Sequence, residues 1–236
     1  MFYSIKESMN VKIVGKYFQS ENIAYNYGDD PKFLNNVYFE KIDFTPITPV
    51  LILHKKAKIT DLISNVNGGS GTHLVMSEKL KNIIEKYRKE GLQFFKTSII
   101  KDKMEIDNYF SLNMYIGNNG FIDFSKSTIK FRRYDPKIIK SPEIIKVNSL
   151  IEFNELLENR NMFDEVSINN IFLNDKVDED FFMLRNVFGS LFFVSEKLKQ
   201  EIEDAGCTGI EFQPTELSYQ EWSAPGGERE RVYGKF

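Results

Sequence analysis

The side chains that most often carry catalysis or bind metals are sparse in this 236-residue sequence, which contains two histidines and one cysteine. His54 and His73 belong to no His-Glu-x-x-His or similar arrangement. The lone Cys207 can complete neither a zinc site of the usual spacing nor an internal disulfide. The sequence around it offers no catalytic partner. We therefore expect no catalytic residue, no metal and no cofactor.

Two further segments share only composition with ligand-binding loops. Residues 67–71 are rich in glycine but lack the Gly-Lys-Ser/Thr ending of a phosphate-binding loop, so we expect a connection there. The other segment contains four carboxylates, those of Asp175, Asp178, Glu179 and Asp180. Their spacing lacks the central glycine and the terminal glutamate of a calcium loop. We interpret this run as surface charge.

The net charge of −3 conceals a strong gradient along the chain. Residues 122–146 contain seven basic and three acidic side chains, a net charge of +4. Residues 151–216 contain fifteen acidic and five basic side chains, a net charge of −10. An acidic surface of this kind repels nucleic acid and attracts a basic protein, such as an enzyme that cleaves nucleic acid. The alternative is a solvated surface that only keeps the protein soluble.

Composition places the chain among ordinary soluble proteins. Hydrophobic residues make up 42% of the sequence and aromatic residues 14%, which is too much for a disordered chain. No uninterrupted apolar run approaches the roughly 18 residues that span a bilayer. The first 16 residues lack the continuous apolar stretch and the cleavage site of a secretory signal, so we expect a cytoplasmic protein.

One pentapeptide, Ser-Glu-Lys-Leu-Lys, occurs twice, at residues 77–81 and 195–199. The likeness extends without a gap over residues 73–99 and 191–217, at a constant offset of 118 residues. Matched positions include Ile84 with Ile202, Gly91 with Gly209 and Phe94 with Phe212. The sequence therefore contains an internal duplication.

Each copy is typical of a strand, a helix and a second strand. Short apolar runs lead into Ser77 and Ser195, whose hydroxyls can accept hydrogen bonds from the open amides of a helix's first turn. Glycines end both helices, and alternating apolar residues follow, as in a half-buried strand. The apolar stripe is narrower in the second helix, where Glu201 replaces Ile83. We interpret the repeat as a packing unit rather than as a ligand site.

The rest of the chain gives weaker signals. We predict a helix over residues 149–159 and a hairpin in which residues 109–116 turn into residues 121–124. Further strands are predicted at residues 3–5, 37–39, 50–54, 128–131 and 166–173. Residues 218–236 show no clear period and are expected to be extended or loosely packed.

These elements predict an α+β fold with mixed or antiparallel sheets. We expect two related lobes in contact, each built on one copy of the duplicated strand-helix-strand unit. Residues 1–104 would form the N-terminal lobe, residues 105–217 the C-terminal lobe and residues 218–236 a tail.

Several of these motifs resemble one known family. Phe-Phe-Val-Ser-Glu-Lys at residues 192–197 and Thr-Gly-Ile-Glu-Phe at residues 208–212 are similar to the C-terminal signature of the eleventh immunity-protein family of bacterial polymorphic toxin systems. Three upstream features also fit that family: the Ser-Glu helix start at Ser77, Tyr-Phe-Ser-Leu-Asn at residues 109–113, and the pattern of Asp123, Ser125 and Ser127. The resemblance covers residues 37–217 and leaves the first 36 residues without a recognised counterpart.

The resemblance implies a non-enzymatic inhibitor that binds a cognate toxin domain and protects the cell that makes it. Such an inhibitor would cover the toxin's active or substrate-binding site through a protein–protein interface. We expect the acidic residues 175 and 178–180 to contact a basic toxin, with neither nucleic acid nor a membrane as partner. Interface anchors are commonly aromatic residues or arginines, and the tail offers Tyr219, Trp222 and Arg229. Trp222 could equally pin the tail onto the body.

Two other classes of function remain open. An enzyme that reverses a toxin's modification would need a concave site with convergent acids or histidines. No motif in the sequence indicates such a site. A scaffold of a secretion system would bridge two partners with its duplicated lobes and would give no protection against a toxin. A toxin-like reading frame immediately upstream would favour the inhibitor.

Overall fold

A computed structural model of the chain describes residues 1–25, 27–65, 73–138, 140–189 and 191–235. The glycine-rich segment at residues 67–71 lies outside the described residues. The strands within them are β1 Phe2–Glu7, β2 Ser20–Ile23, β3 Leu51–Leu53, β4 Leu62–Ile63, β5 Val75–Ser77, β6 Leu92–Lys101, β7 Met104–Met114, β8 Ile129–Arg132, β9 Glu143–Ile145, β10 Glu165–Ile168, β11 Phe181–Met183, β12 Phe192–Ser195 and β13 Ile210–Pro214. The helices are α1 Val11–Val14, α2 Glu78–Tyr87, α3 Leu150–Asn159, α4 Glu196–Asp204, α5 Tyr219–Ser223 and α6 Glu228–Tyr233.

The strands form three sheets, which together with the helices give the predicted α+β fold. The largest sheet has the strand order β2-β3-β6-β7-β5-β4 and is mixed, because β3 and β6 are parallel. The second sheet has the order β11-β12-β1-β13 and the third the order β10-β8-β9, and both are antiparallel. Among the described residues, no helix is both long enough and apolar enough to cross a membrane.

The two copies of the repeat have the same strand pairing. In each copy the outer strands are separated by a central antiparallel strand, which is β7 between β5 and β6, and β1 between β12 and β13. Val75 and Phe95 flank Ser111 of β7, and the residues 118 positions later, Phe193 and Gln213, flank Ser4 of β1. The register is thus the same in both copies. The central strand comes from a different place in the chain each time.

A shared apolar core joins the two copies. Leu80 and Ile84 of α2 meet Leu198 and Ile202 of α4 in one buried cluster, which strands of the six- and four-stranded sheets complete. A second cluster contains residues of the four- and three-stranded sheets together with Phe153 of α3, which is fully buried. The division of the chain into lobes at residues 104 and 105 stays a prediction.

Both repeat helices begin at the predicted serines. Ser77 Oγ accepts a hydrogen bond from the Leu80 amide at 3.3 Å, and Ser195 Oγ accepts one from the Leu198 amide at 3.2 Å. An oxygen at this position satisfies one of the amides that a helix leaves open at its start. The cap signals in the sequence were therefore sufficient to place both helices.

Glu201, the charged residue that interrupts the apolar stripe of α4, connects α4 to α2. Glu201 accepts hydrogen bonds from Lys86 Nζ at 2.5 Å and from the Tyr87 hydroxyl at 2.6 Å, both on α2. Both bonds lower the pKa of Glu201. The bond from the Tyr87 hydroxyl to this carboxylate raises the pKa of Tyr87 to about 12. At the other end of α2, Lys79 Nζ donates to the Gly206 carbonyl, so the two helices are antiparallel.

The predicted hairpin was wrong. Strand β7 pairs with β6 through the turn at Asp102 and Lys103, and with β5, while residues 121–124 form no strand. Their apolar side chains serve packing instead, since Ile122 and Phe124 are buried. The strand predicted at residues 37–39 is also absent, because Phe39 has a φ of 56°, which an extended strand does not allow.

Candidate functional site

The four carboxylates singled out in the sequence lie in the loop that leads into β11. Asp175 and Asp178 are exposed, and Glu179 and Asp180 are half-buried. None of the four forms a salt bridge with another residue in the described parts of the chain. The loop therefore presents to solvent negative charge that no salt bridge of the described residues neutralises.

A buried arginine holds this loop against the end of α2. Arg88 follows the last residue of α2 and donates hydrogen bonds to the Phe181 carbonyl at 2.9 Å and the Glu90 carbonyl at 2.8 Å. Burial lowers the pKa of Arg88, whereas the nearby Glu179 and Asp178 act in the opposite direction. The guanidinium thus fixes the start of β11 through backbone contacts while the carboxylates before it stay available.

The tail is packed, and the expectation of an extended or loose segment was wrong. It forms α5 and α6, and α5 begins with a capping box in which Ser218 and Glu221 exchange hydrogen bonds. Trp222 and Arg229 are each only 1% exposed. The Ser-x-x-Glu pattern at residues 218–221 is a local signal that could have predicted this start.

Arg229 and Trp222 therefore hold the tail to the body. Arg229 donates two hydrogen bonds of 2.8 Å to the buried carboxylate of Glu211 on β13. The same carboxylate accepts hydrogen bonds from the Ser8 hydroxyl and the Met9 amide. Trp222 packs against the rings of Tyr219 and Tyr233. The N-terminal strand, β13 and the tail thus meet at one buried ion pair.

A cavity of about 340 Å³ opens beside this packed tail. Tyr219 and Trp222, two of the anchors named from the sequence, line it together with Lys6, Tyr17 and Phe188. Lys6 Nζ lies 5.1 Å from the centre of the Tyr219 ring and 5.9 Å from that of Trp222. Burial lowers the pKa of Lys6 to about 8. No sequence motif marks Lys6, Tyr17 or Phe188, because they come together only through the fold.

A second concavity, of about 460 Å³, shares Phe188 with the first. Helix α5 contributes Gln220 to it. Its lining also includes Lys130 and Arg132 of β8 together with Arg160. The two recesses, which both contain basic side chains, thus have the exposed Phe188 in common.

A third cavity, of about 590 Å³, lies at the start of α2, and its polar side chains bond to one another. Its central carboxylate, Asp61, accepts hydrogen bonds from the Ser77 hydroxyl at 2.7 Å and the Thr208 amide at 2.8 Å. Lys79 Nζ lies 3.3 Å from the same carboxylate. These contacts join the two copies of the repeat and leave Asp61 little capacity for a ligand.

The histidines and the cysteine do not assemble into a reactive centre. The two ring nitrogens of His73 each lie 3.0 Å from a backbone carbonyl oxygen, and burial lowers the pKa of this side chain. Burial raises the pKa of Cys207 to about 11, which keeps the thiol protonated near neutral pH. In the described ranges, no three His, Cys, Asp or Glu side chains are grouped so that they could hold a metal ion.

Comparison with known proteins adds a family to this geometry. No curated protein matches the chain. The sequence pattern of the Imm11 immunity protein family matches residues 2–217. The match includes residues 2–36, for which the sequence motifs gave no counterpart. This segment contains β1, which lies between β12 and β13 in the four-stranded sheet and is therefore part of the fold. The chain therefore belongs to the Imm11 immunity protein family.

Proposed function

We propose that this protein binds a cognate bacterial toxin in the cytoplasm of the cell that makes it and neutralises the toxin by covering its active or substrate-binding site. Membership of the Imm11 family supports an immunity function. The mechanism is steric occlusion through a protein–protein interface and needs no catalytic residue in the inhibitor.

The observation that carries the proposed contact is the uncompensated acidic loop. Asp175, Asp178, Glu179 and Asp180 have no salt-bridge partner in the described residues, and the loop is fixed by Arg88. Complementary charge speeds association and selects a partner of opposite sign. We infer that this loop faces a basic surface of the toxin, as found on enzymes that act on nucleic acids.

The tail residues named from the sequence contribute in different ways to this proposal. Tyr219 and Trp222 line the 340 Å³ cavity, where a side chain of the toxin can contact them. Arg229 is buried against Glu211 and acts on the interface only by fixing the tail. Hot spots in interfaces are commonly aromatic side chains that line such recesses.

The environments of the reactive side chains favour an inhibitor over an enzyme. Cys207 is held as a thiol and both His73 nitrogens face backbone carbonyls, so neither is placed for nucleophilic or acid–base catalysis. The enzyme and the scaffold remain the competing hypotheses. An inhibitor should protect the host and form a stable complex of one stoichiometry. An enzyme should protect the host without a stable complex, and a scaffold should form a complex without protecting the host.

Co-expression with the product of the adjacent upstream gene in a sensitive host tests the proposal. We expect survival of the host and co-purification of the two proteins in a fixed ratio. Survival without a complex would favour an enzyme that reverses the toxin's modification. A complex without survival would favour a scaffold. If the host does not survive and no complex forms, the upstream gene product is not the toxin that this protein neutralises.

A further inference from the structure

Lys6 carries a charge that no carboxylate of the described residues neutralises in a salt bridge. It is half-buried in the 340 Å³ cavity, and no described residue pairs with it in a salt bridge or accepts a hydrogen bond from it. The hydroxyl of Tyr17, which lines the same cavity, also lacks a described acceptor. Burial raises the pKa of Tyr17 to about 12, so the hydroxyl remains a donor. Two hydrogen-bond donors therefore line the same recess.

The nearest carboxylates are unable to serve Lys6. Glu211, which is directly opposite Lys6 in the β1–β13 pair, is already bound by Arg229, Ser8 and the Met9 amide. Glu7, the next residue of β1, also lines the cavity, but it forms no salt bridge with Lys6. Burial raises the pKa of Glu7, which favours its neutral form. The charge on Lys6 thus stays available for a ligand.

We propose that this cavity receives a carboxylate side chain of the toxin, with Lys6 as its charge partner and the rings of Tyr219 and Trp222 as its walls. This inference rests on the proposed function, because it names the group on the toxin that enters the cavity. It concerns a surface other than the acidic loop.

The chemistry of the recess selects a carboxylate rather than a phosphate. Besides the Glu7 carboxyl, whose neutral form burial favours, it offers one ammonium and one hydroxyl, which match the single charge of a carboxylate. Phosphate groups are usually held by several donors, such as an arginine fork or a row of backbone amides. The aromatic walls would contact the apolar stem of an acidic side chain or of a neighbouring residue.

The setting of the cavity indicates a protein segment as the source of that carboxylate. Small-molecule sites commonly have volumes of about 300–1,000 Å³, and the recess of about 340 Å³ lies at the lower end of that range. It shares Phe188 with the second concavity, where Lys130 and Arg160 likewise have no described anion partner within salt-bridge distance. An extended acidic segment of the toxin would match both recesses.

The acidic groups of the second concavity are engaged locally. Glu165 pairs with Arg132, which is directly opposite it on β8. Asp164 accepts hydrogen bonds from the Tyr134 and Asn161 amides. The charge that remains for a partner along this surface is therefore positive, in contrast to the acidic loop.

The first experiment uses phenylacetate as the probe and the fluorescence of Trp222, the single tryptophan of the chain, as the readout. Phenylacetate should change the emission saturably, whereas the uncharged phenylacetamide should bind at least about tenfold more weakly. Lys6→Met should weaken phenylacetate binding by a similar factor. Lys41→Met, which removes an exposed lysine, is the control with the same change in charge and should bind like the wild type.

Equal responses to phenylacetate and phenylacetamide, or unchanged phenylacetate binding in Lys6→Met, would overturn the assignment of the cavity to a carboxylate. Circular dichroism of each variant establishes that it is folded. Lys6→Arg, which keeps the charge, should retain most of the binding and separates loss of charge from a change in packing.

The second experiment measures the affinity of the same variants for the purified product of the upstream gene. Lys6→Met should weaken the complex by about tenfold or more, and Lys41→Met should not. A tight complex that is insensitive to Lys6→Met would overturn the inference while leaving the proposed function intact. Lys6-dependent phenylacetate binding in a protein that forms no complex would instead contradict the proposed function and the toxin as the source of the carboxylate.

Discussion

Arg229 of α6 and Glu211 of β13 form a buried, bidentate ion pair in which both nitrogen–oxygen distances are 2.8 Å. Two parallel hydrogen bonds between a guanidinium and a carboxylate are a strong and geometrically specific form of this contact. The pair connects a helix near the end of the chain to a sheet whose central strand begins at Phe2. It therefore makes the tail part of the folded body.

Removing one member of this pair should strongly destabilise the protein. We expect Arg229→Met to lower the free energy of unfolding by about 3–5 kcal/mol, because it leaves the Glu211 carboxylate buried without its cation. Arg229→Met combined with Glu211→Met should recover much of this loss, since no buried charge remains. Urea unfolding measures the free energy of unfolding of both variants. Equal losses of stability in the single and the double variant would contradict the explanation by an unpaired buried charge.

Reversing charge in the acidic loop should weaken toxin binding. We expect Asp178→Lys with Glu179→Lys to lower the affinity for the toxin and to make it less sensitive to salt, because long-range attraction is lost. The matched control is Glu155→Lys with Glu158→Lys on the exposed face of α3, which changes the net charge equally. Dissociation constants over a series of salt concentrations test this, and equal effects of the two variants would exclude a specific role for the loop.

The buried ammonium of Lys6 should make stability depend on pH. Burial lowers the pKa of Lys6 to about 8 in the folded protein, below the value of about 10.4 for an unfolded chain. Between these values the unfolded state binds more protons, so the stability contributed by this group increases as the pH rises. Below pH 8 the folded protein carries the full penalty.

Lys6→Met removes this dependence. We expect the stability of the variant relative to the wild type to be greatest at or below pH 7 and to fall by up to about 3 kcal/mol as the pH approaches 10.5. Unfolding curves of both proteins at matched pH values measure the difference, which cancels the titration of groups that do not interact with Lys6. A pH-independent difference would show that Lys6 does not titrate anomalously.

The two helix-capping serines should differ in their contributions although they occupy equivalent places in the repeat. Ser195→Ala should lower the free energy of unfolding by about 1 kcal/mol, the usual effect of losing a cap. Ser77→Ala should lower it further, because Ser77 also donates a hydrogen bond of 2.7 Å to Asp61. Denaturant unfolding of the two variants tests this, and equal losses would mean that the bond to Asp61 adds nothing.

Local signals predicted local structure well. Ser77 and Ser195, each followed by an apolar stripe, placed the repeat helices, and the helix predicted at residues 149–159 corresponds to α3. The capping box at Ser218 and Glu221 is a comparable local signal for the start of α5. Phe39 shows the limit of such signals, since its left-handed backbone follows from tertiary contacts and not from its own preference.

The candidate site was less predictable because it depends on distant pairing. Lys6 and Trp222 are more than 200 positions apart in the sequence and meet only because β1 lies beside β13, onto which the tail packs. The charge of residues 178–180 was evident from the sequence. The sequence could not show that these carboxylates form no salt bridge within the described residues. This depends on the fold, which directs the nearby Arg88 to backbone carbonyls instead.

The position of β1 also governs when the molecule can become complete during synthesis. Phe2 pairs with Ser195, so the first strand has to wait for 193 further residues before either of its neighbours exists. Closing a loop of that length carries an entropy penalty that local folding does not. A chain that stopped between residues 115 and 180 would contain every strand of the six-stranded sheet but only β1 of the four-stranded sheet, and it would lack Tyr219 and Trp222 of the cavity.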